Sequence, residues 1–264
     1  MGRLAVIGVG VMGEALLAGA RRAGFDDVVV ADAAPGRAKQ VAQQYDATAA
    51  PTAEAVEGAD LVLLAVKPQY LAEAVQQIAP GLPAGAVVVS VAAGVTTATL
   101  EDGLGPNVAV VRAMPNTPAL IGEGVTAISA GSRADDSALE VAEKLLAGAG
   151  EVVTVPESLQ DAVTAISGSG PAYLFYLAEA MVDAGVGLGV PRSTATQLVA
   201  QTLRGAAGLL AQDDAHPTLL RERVTSPGGT TAAAIAALDA GAVRAEVAAA
   251  MRAAARRSQE LSGQ

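Results

Sequence analysis

The run Gly8-Val9-Gly10-Val11-Met12-Gly13 has the spacing G-x-G-x-x-G. Between a short apolar strand and a helix, that spacing suits pyrophosphate binding. Gly8 would make the tight turn and Gly10 would let the backbone approach the phosphates. Gly13 would let the helix pack close to the strand. The helix dipole and its unpaired amides then hold the anion. Asp32 stands 19 residues after Gly13, where an acid can bind a ribose 2′-hydroxyl. That position favours NADH, because a carboxylate repels a 2′-phosphate. Arg37 and Lys39 could instead bind such a phosphate, or could form an ordinary solvated helix face. The choice between NADH and NADPH stays open at this level.

A second constellation lies late in the chain, at Ser226-Pro-Gly-Gly-Thr-Thr231. Two glycines ahead of an apolar helix expose several consecutive backbone N–H groups. Such a mouth grips a carboxylate without help from Arg or Lys, which suits an acidic protein binding an amino-acid-like anion. Ser167-Gly-Ser-Gly-Pro171 reads as a helix start with exposed amides, where Ser169 either caps the helix or joins a substrate shell. Met114-Pro-Asn-Thr-Pro118 is either a plain turn or a rigid loop framing a ligand with Asn116 as donor. His216 invites a general-acid reading, but His-Pro marks a helix entry and the structural role is preferred.

These residues need elements to hold them. The first half alternates apolar runs (4–7, 28–31, 61–66, 87–91, 108–111) with helical patterns (14–23, 35–44, 68–78). In the helix over 68–78, Leu71, Ala74, Val75 and Ile78 share one face. Such alternation predicts a mostly parallel, doubly wound sheet covered on both faces. Weaker strands follow at 125–129 and 152–155, with a helix near 137–146. After about Pro156 the strand signals stop. Helices are expected over 160–166, 171–184, 191–211, 218–224, 230–240 and 242–261. The chain therefore divides into a dinucleotide-binding Rossmann domain, 1–156, and an all-helical domain, 157–264. Several of the late helices are built mainly from alanine, which favours helix but fills little core. A self-associating partner face follows from that shortage.

Composition removes several function classes. The 264 residues include no Cys, which excludes disulfides, thiolate metal sites and a thiol nucleophile. A single His excludes any site needing two imidazoles, and no metal is expected. Seventeen Lys and Arg against 27 Asp and Glu give a net charge of −10, which argues against a nucleic-acid partner. No apolar run is long enough to suggest a membrane span or a clear signal segment, so a cytoplasmic location is expected.

Further segments occur in a fixed order: Ala65-Val66-Lys67-Pro68-Gln69, Arg112-Ala-Met-Pro-Asn-Thr-Pro-Ala119, Ser167-Gly-Ser-Gly-Pro-Ala-Tyr173, His216-Pro217, Val224-Thr-Ser-Pro-Gly-Gly-Thr-Thr231 and Leu238-Asp239. With them the chain resembles the pyrroline-5-carboxylate reductase family over essentially its whole length. The segment from Val224 to Thr231 is the most specific part, and the glycine loop the least. The resemblance implies a Rossmann domain followed by an all-α dimerisation domain. It also implies homodimers with interlocked helices, often built into decamers, and an active site completed between copies.

The same resemblance implies roles. Gly8, Gly10, Val11, Met12, Gly13 and Asp32 would hold NADPH or NADH, with Thr52, Val66, Lys67, Pro68, Ala93 and Arg223 as further cofactor contacts. Pro68 also has the plain reading of a strand stop. Glu157 maps to a substrate-site position, or is an acid complementing a helix start. Ser226, Gly229, Thr230 and Thr231 would bind the substrate: the Gly229 and Thr230 amides on its carboxylate, the Thr231 hydroxyl on its ring nitrogen as the catalytic contact. The family has a small polar residue where this chain has Ala33 and Ala34, which weakens any inference about 2′-phosphate binding. The implied reaction is hydride transfer to the C=N bond of Δ1-pyrroline-5-carboxylate, giving L-proline in the last step of proline biosynthesis. Two other readings stand beside it. A related imine or β-hydroxyacid reductase usually carries a catalytic Lys in the helical half, and here every Lys precedes residue 150. A non-catalytic NAD(P)-binding scaffold has no use for the segment from Val224 to Thr231.

Overall fold

The computed structural model describes residues 2–262 and divides into two compact units. The first holds residues up to 171 together with 253–262, and the second holds 172–252.

The first unit is built on eight strands: β1 (Leu4–Ile7), β2 (Val28–Ala31), β3 (Thr48–Ala49), β4 (Leu61–Leu64), β5 (Val87–Ser90), β6 (Ala109–Met114), β7 (Gly124–Ala130) and β8 (Gly150–Thr154). They form one sheet in the order β3-β2-β1-β4-β5-β6-β7-β8. All neighbours run parallel except β6 and β7. Six helices accompany them: α1 (Val11–Arg22), α2 (Arg37–Tyr45), α3 (Thr52–Ala55), α4 (Pro68–Ile78), α5 (Thr97–Leu104) and α6 (Asp136–Ala147).

Side chains alternate along the strands and feed two cores. Leu4, Val6, Val30 and Leu63 pack with Leu16 and Leu17 of α1, Val41 of α2 and Leu145 of α6. Ala5, Ile7, Val29 and Leu64 pack with Ala55 of α3, Leu71 and Ile78 of α4 and Leu100 of α5. Strands covered on both faces need no polar alternation, which is why β1, β2 and β4 read as unbroken apolar runs. Full burial of each Leu or Ile contributes about 1.5–3 kcal/mol.

The register decides where chemistry can occur. Ile7 pairs with Ala31 on one side and with Leu64 on the other. The residues that follow, Gly8, Asp32 and Ala65, therefore leave the sheet side by side at its carboxyl edge. The Gly8 amide donates to the Ala31 carbonyl at 2.8 Å, and the Ala65 amide to Ile7 at 2.8 Å. Helices leave β1 and β4 towards opposite faces, so a crevice opens between those strands, as at any topological switch point.

Strand β3, helix α5 and the start of α8 differ from the sequence reading. Helix α5 carries no readable helical pattern, because Thr97, Thr99 and Gly103 dilute its helix propensity. The segment Ser167–Pro171 is not a free helix start. Helix α7 (Gln160–Val163) continues through a widened turn (Thr164–Gly168) into α8 (Gly170–Gly187). Within it the Ser169 amide donates to the Thr164 carbonyl, five residues back, at 2.8 Å. Pro171 has no N–H to give and its ring crowds the preceding turn, and a widened turn relieves both. The Ser258 hydroxyl, in the last helix, bonds the Asp161 carboxylate within this same unit.

The second unit is helical: the remainder of α8, then α9 (Arg192–Leu210), α10 (Pro217–Arg223), α11 (Thr230–Ala240) and the first part of α12 (Val243–Ser262). Its burial is slight. Helix α8 is mostly apolar yet has no buried residue, and α9 buries only Ala195 and Val199. Phe175, Tyr176, Leu188 and Leu198 are all more than half exposed. A helix apolar all round is stable only when something covers it.

Candidate active site

The first element of the site is a cavity of about 550 Å³ at the crevice. Gly8, Gly10, Asp32, Thr52, Val66 and Lys67 line it, so six residues expected at the cofactor share one wall. Tyr70, Glu73 and Gln77 also line it, from successive turns of α4. The sequence reading missed these three, although their helical spacing beside Lys67 was the available signal.

Two of the three glycines are required by distance. Gly8 has a φ of +90°, and a Cβ on it would lie 2.9 Å from the Ala65 carbonyl oxygen. A Cβ on Gly13 would lie 2.0 Å from the Gly8 carbonyl oxygen. Gly13 is thus the packing contact beneath the loop. A Cβ on Gly10 would meet nothing within 4 Å. Gly10 begins α1 without a side-chain cap, so no side chain occupies the first amides of this three-turn helix. That arrangement fits a dinucleotide pyrophosphate. Val11 and Met12 belong to this first turn, and Val11 is exposed. Pro68 begins α4, and Ala93 is exposed just beyond β5 at the same sheet edge. Neither is on the cavity wall.

Asp32 is pinned by the backbone. Its Oδ2 accepts from the Val9 amide at 2.8 Å and its Oδ1 from the Ala34 amide at 2.8 Å. Arg37 is engaged within the chain rather than standing on an open solvated face. Its Nε donates to the Val9 carbonyl at 2.8 Å, and its guanidinium pairs with Glu14. The Tyr45 hydroxyl donates to the same Glu14 carboxylate at 3.2 Å. Burial, and then the Glu14 charge, raise the Tyr45 pKa above the usual phenol value.

Glu157 lies in a short turn after β8. Its carboxylate accepts from the Thr97 amide at 2.8 Å and the Thr97 hydroxyl at 2.7 Å, and meets Arg112 at 3.3 Å. It therefore ties the start of α5 to β6. A negative charge on the first amide of α5 also complements the helix dipole. Thr97 and Arg112 were not anticipated, although an arginine inside a buried strand demands a carboxylate. Asn116 is spent on structure through its Oδ1, which accepts from the Val125 amide at 2.9 Å. A Cβ on Gly168 would lie 2.6 Å from the Met114 methyl, so the widened turn packs directly on the Met114 loop.

In the second unit, Ser226, Gly229, Thr230 and Thr231 gather at the mouth of α11. Gly229 begins the helix with no side-chain cap. Its own amide is not free, because it donates to the Ser226 carbonyl at 3.0 Å. The turn through Gly228 closes on Ser226 directly ahead of the first amides of α11. An added Cβ on Gly229 would meet the Ser226 hydroxyl. Arg223 ends α10 and is exposed. His216 is exposed at the start of α10, which agrees with a structural helix entry. Among the described residues no cluster of His, Asp or Glu could hold a metal ion, and no helix is long and apolar enough to cross a membrane.

Residues 157–261 match the model of the pyrroline-5-carboxylate reductase dimerisation domain. Residues 3–94 match that of the coenzyme F420-dependent NADP oxidoreductases. A curated relative, pyrroline-5-carboxylate reductase of Mycobacterium tuberculosis, is 46% identical over 286 aligned positions, covering 99% of this chain and 97% of the relative. The structure of a pyrroline-5-carboxylate reductase from Coxiella burnetii superposes with a TM-score of 0.93 at 33% identity, covering 99% of this chain and 98% of that one. A Plasmodium falciparum pyrroline carboxylate reductase, solved with NADP bound, gives a TM-score of 0.87 at 27% identity, covering 99% and 98%.

Proposed function

The chain belongs to the pyrroline-5-carboxylate reductase family, and we propose from that premise how its residues reduce pyrroline-5-carboxylate to proline. It is an NAD(P)H-dependent oxidoreductase of proline biosynthesis with a Rossmann domain and a helical dimerisation domain.

Gly8, Gly10 and the first amides of α1, those of Val11, Met12 and Gly13, would hold the pyrophosphate of the cofactor. Asp32 and Thr52 would take its adenosine side. Val66, Lys67, Pro68 and Ala93, at the ends of β4 and β5, would flank its nicotinamide side, with Arg223 as a further contact. A bound reduced nicotinamide supplies the hydride.

Substrate binding falls to the α11 mouth. The Gly229 and Thr230 amides would hold the substrate carboxylate, the Gly229 amide exchanging its bond to Ser226 for one to the ligand, in a setting where dipole and amides replace a cation. Gly229 lets the carboxylate approach, and Ser226 closes the turn that aims those amides. The Thr231 hydroxyl would hold the ring nitrogen. A protonated cyclic imine is already electrophilic, so the chain's task is positioning rather than strong acid catalysis. Glu157, which orders the entry to α5, would also reach the substrate side of the site. The observation that carries this reading is the uncapped α11 mouth, beginning at Gly229, in a chain that also holds an open dinucleotide cradle at Gly10.

The working form in this proposal is a homodimer, with dimers assembling into decamers and the active site completed between copies. The exposed apolar faces of α8 and α9 support it. A cytoplasmic location is part of the same reading. Mixing the protein with pyrroline-5-carboxylate and NADH or NADPH should consume the reduced cofactor and yield proline. A protein that binds either cofactor but consumes neither refutes the catalytic reading. Mass by light scattering tests the assembly, and a monomer would refute it.

A further inference from the structure

We propose that the cavity selects the reduced cofactor with a free adenosine 2′-hydroxyl, NADH over NADPH, and that Asp32 is the specificity-determining residue. The proposal rests on the dinucleotide reading of the cavity given above.

An acid at the end of the second strand of this fold meets the adenosine ribose. Here the acid cannot move aside. Its two oxygens each accept a 2.8 Å bond from a backbone amide, Val9 on the glycine loop and Ala34 on the following turn. Rotating the carboxylate away from a 2′-phosphate would break both bonds and loosen the loop that holds the pyrophosphate.

No nearby side chain compensates. Ala33 and Ala34 line the cavity with methyl groups and offer no donor. Arg37, the cation nearest in sequence, is committed elsewhere. Its Nε is on the Val9 carbonyl, its Nη1 is 3.3 Å from the Gln40 side chain, and its Nη2 pairs with Glu14. Freeing it would strand a Glu14 carboxylate that is only 23% exposed. Lys39 is exposed on α2 and does not line the cavity. Lys67 does line it, but from the end of β4. Two strand spacings separate β4 from β2, roughly 10 Å. Glu73 adds a second carboxylate to the lining. A 2′-phosphate would thus meet a fixed negative charge and no free side-chain cation on the β2 side, whereas a 2′-hydroxyl could donate to Asp32.

The test is equilibrium binding, read from the fluorescence of the reduced nicotinamide as protein is added, with circular dichroism to verify each variant's fold. NADH should bind the native chain at least tenfold more tightly than NADPH. Asp32→Ser removes the charge and should shrink that ratio at least tenfold. Arg37→Ala should weaken both cofactors by a similar factor and leave the ratio unchanged, because Arg37 acts through Val9 and Glu14. Equal or tighter NADPH binding by the native chain would overturn the proposal, since the α2 amides would then outweigh the carboxylate. An unchanged ratio in Asp32→Ser would overturn it too, as would a loss confined to NADPH in Arg37→Ala. Failure to bind either cofactor would instead remove the dinucleotide reading beneath it.

Discussion

Replacing Glu157 by Ala should loosen the entry to α5 by about 3 kcal/mol, a sum of the bonds lost and a charge left behind. The carboxylate accepts from the Thr97 amide at 2.8 Å, from the Thr97 hydroxyl at 2.7 Å and from Arg112 at 3.3 Å. A hydrogen bond to a charged group contributes about 1.5–3 kcal/mol net. The full sum overstates the effect, because the Glu157 side chain is 28% exposed and water replaces part of what is lost. The Arg112 side chain, however, is only 6% exposed, and stranding a buried charge costs about 3–5 kcal/mol. Glu157→Gln keeps the volume and one acceptor, so about 1 kcal/mol is expected. Hydrogen exchange over residues 96–104 and 109–114 reads such local opening directly. The chain has no Trp, so far-UV circular dichroism serves as the global check, at fixed protein concentration. For Glu157→Ala the α5 amides should exchange about 100-fold faster. Thr97→Ala should couple to it by about 1 kcal/mol or more in a double-mutant cycle. Exchange over 96–104 within about threefold of wild type, or full additivity with Thr97→Ala, would refute the tether. Glu157→Gln separates structure from chemistry: protected α5 amides with a tenfold lower kcat/KM would assign the carboxylate to the substrate as well.

Gly10→Ala and Gly13→Ala should part company. The first places a methyl in open space, so stability should hold within about 0.5 kcal/mol while cofactor affinity drops at least tenfold. The second drives a methyl into the Gly8 carbonyl oxygen and should cost about 2–4 kcal/mol by denaturation. Thr231→Ala should lower kcat/KM by about 10- to 100-fold, the worth of one hydrogen bond to a charged group, with smaller losses in Ser226→Ala and His216→Ala. Wild-type turnover in Thr231→Ala would remove that hydroxyl from the mechanism. Tyr45 keeps its proton in the folded chain to a higher pH than in the unfolded chain. Stability should therefore fall as pH rises through and above 10.0, and Tyr45→Phe should flatten that decline in alkaline melting curves.

Strands β1 and β2 and helices α4 and α11 run over the residues the apolar patterns mark out, and the glycine constellations at Gly8 and Ser226 are visible in the sequence beside those elements. These signals are local: side-chain period, proline, glycine and a run of small residues suffice. Strand β3 is two residues long and α5 is threonine-rich, so neither carries a readable pattern. The state of the candidate site depended on partners far along the chain. Glu157 finds Thr97 and Arg112 across 60 and 45 residues, and Arg37 finds Val9 across 28. No periodicity encodes such meetings. They follow from strand order and register, which bring distant segments to one sheet edge, and from the demand that every buried charge and amide find a partner there.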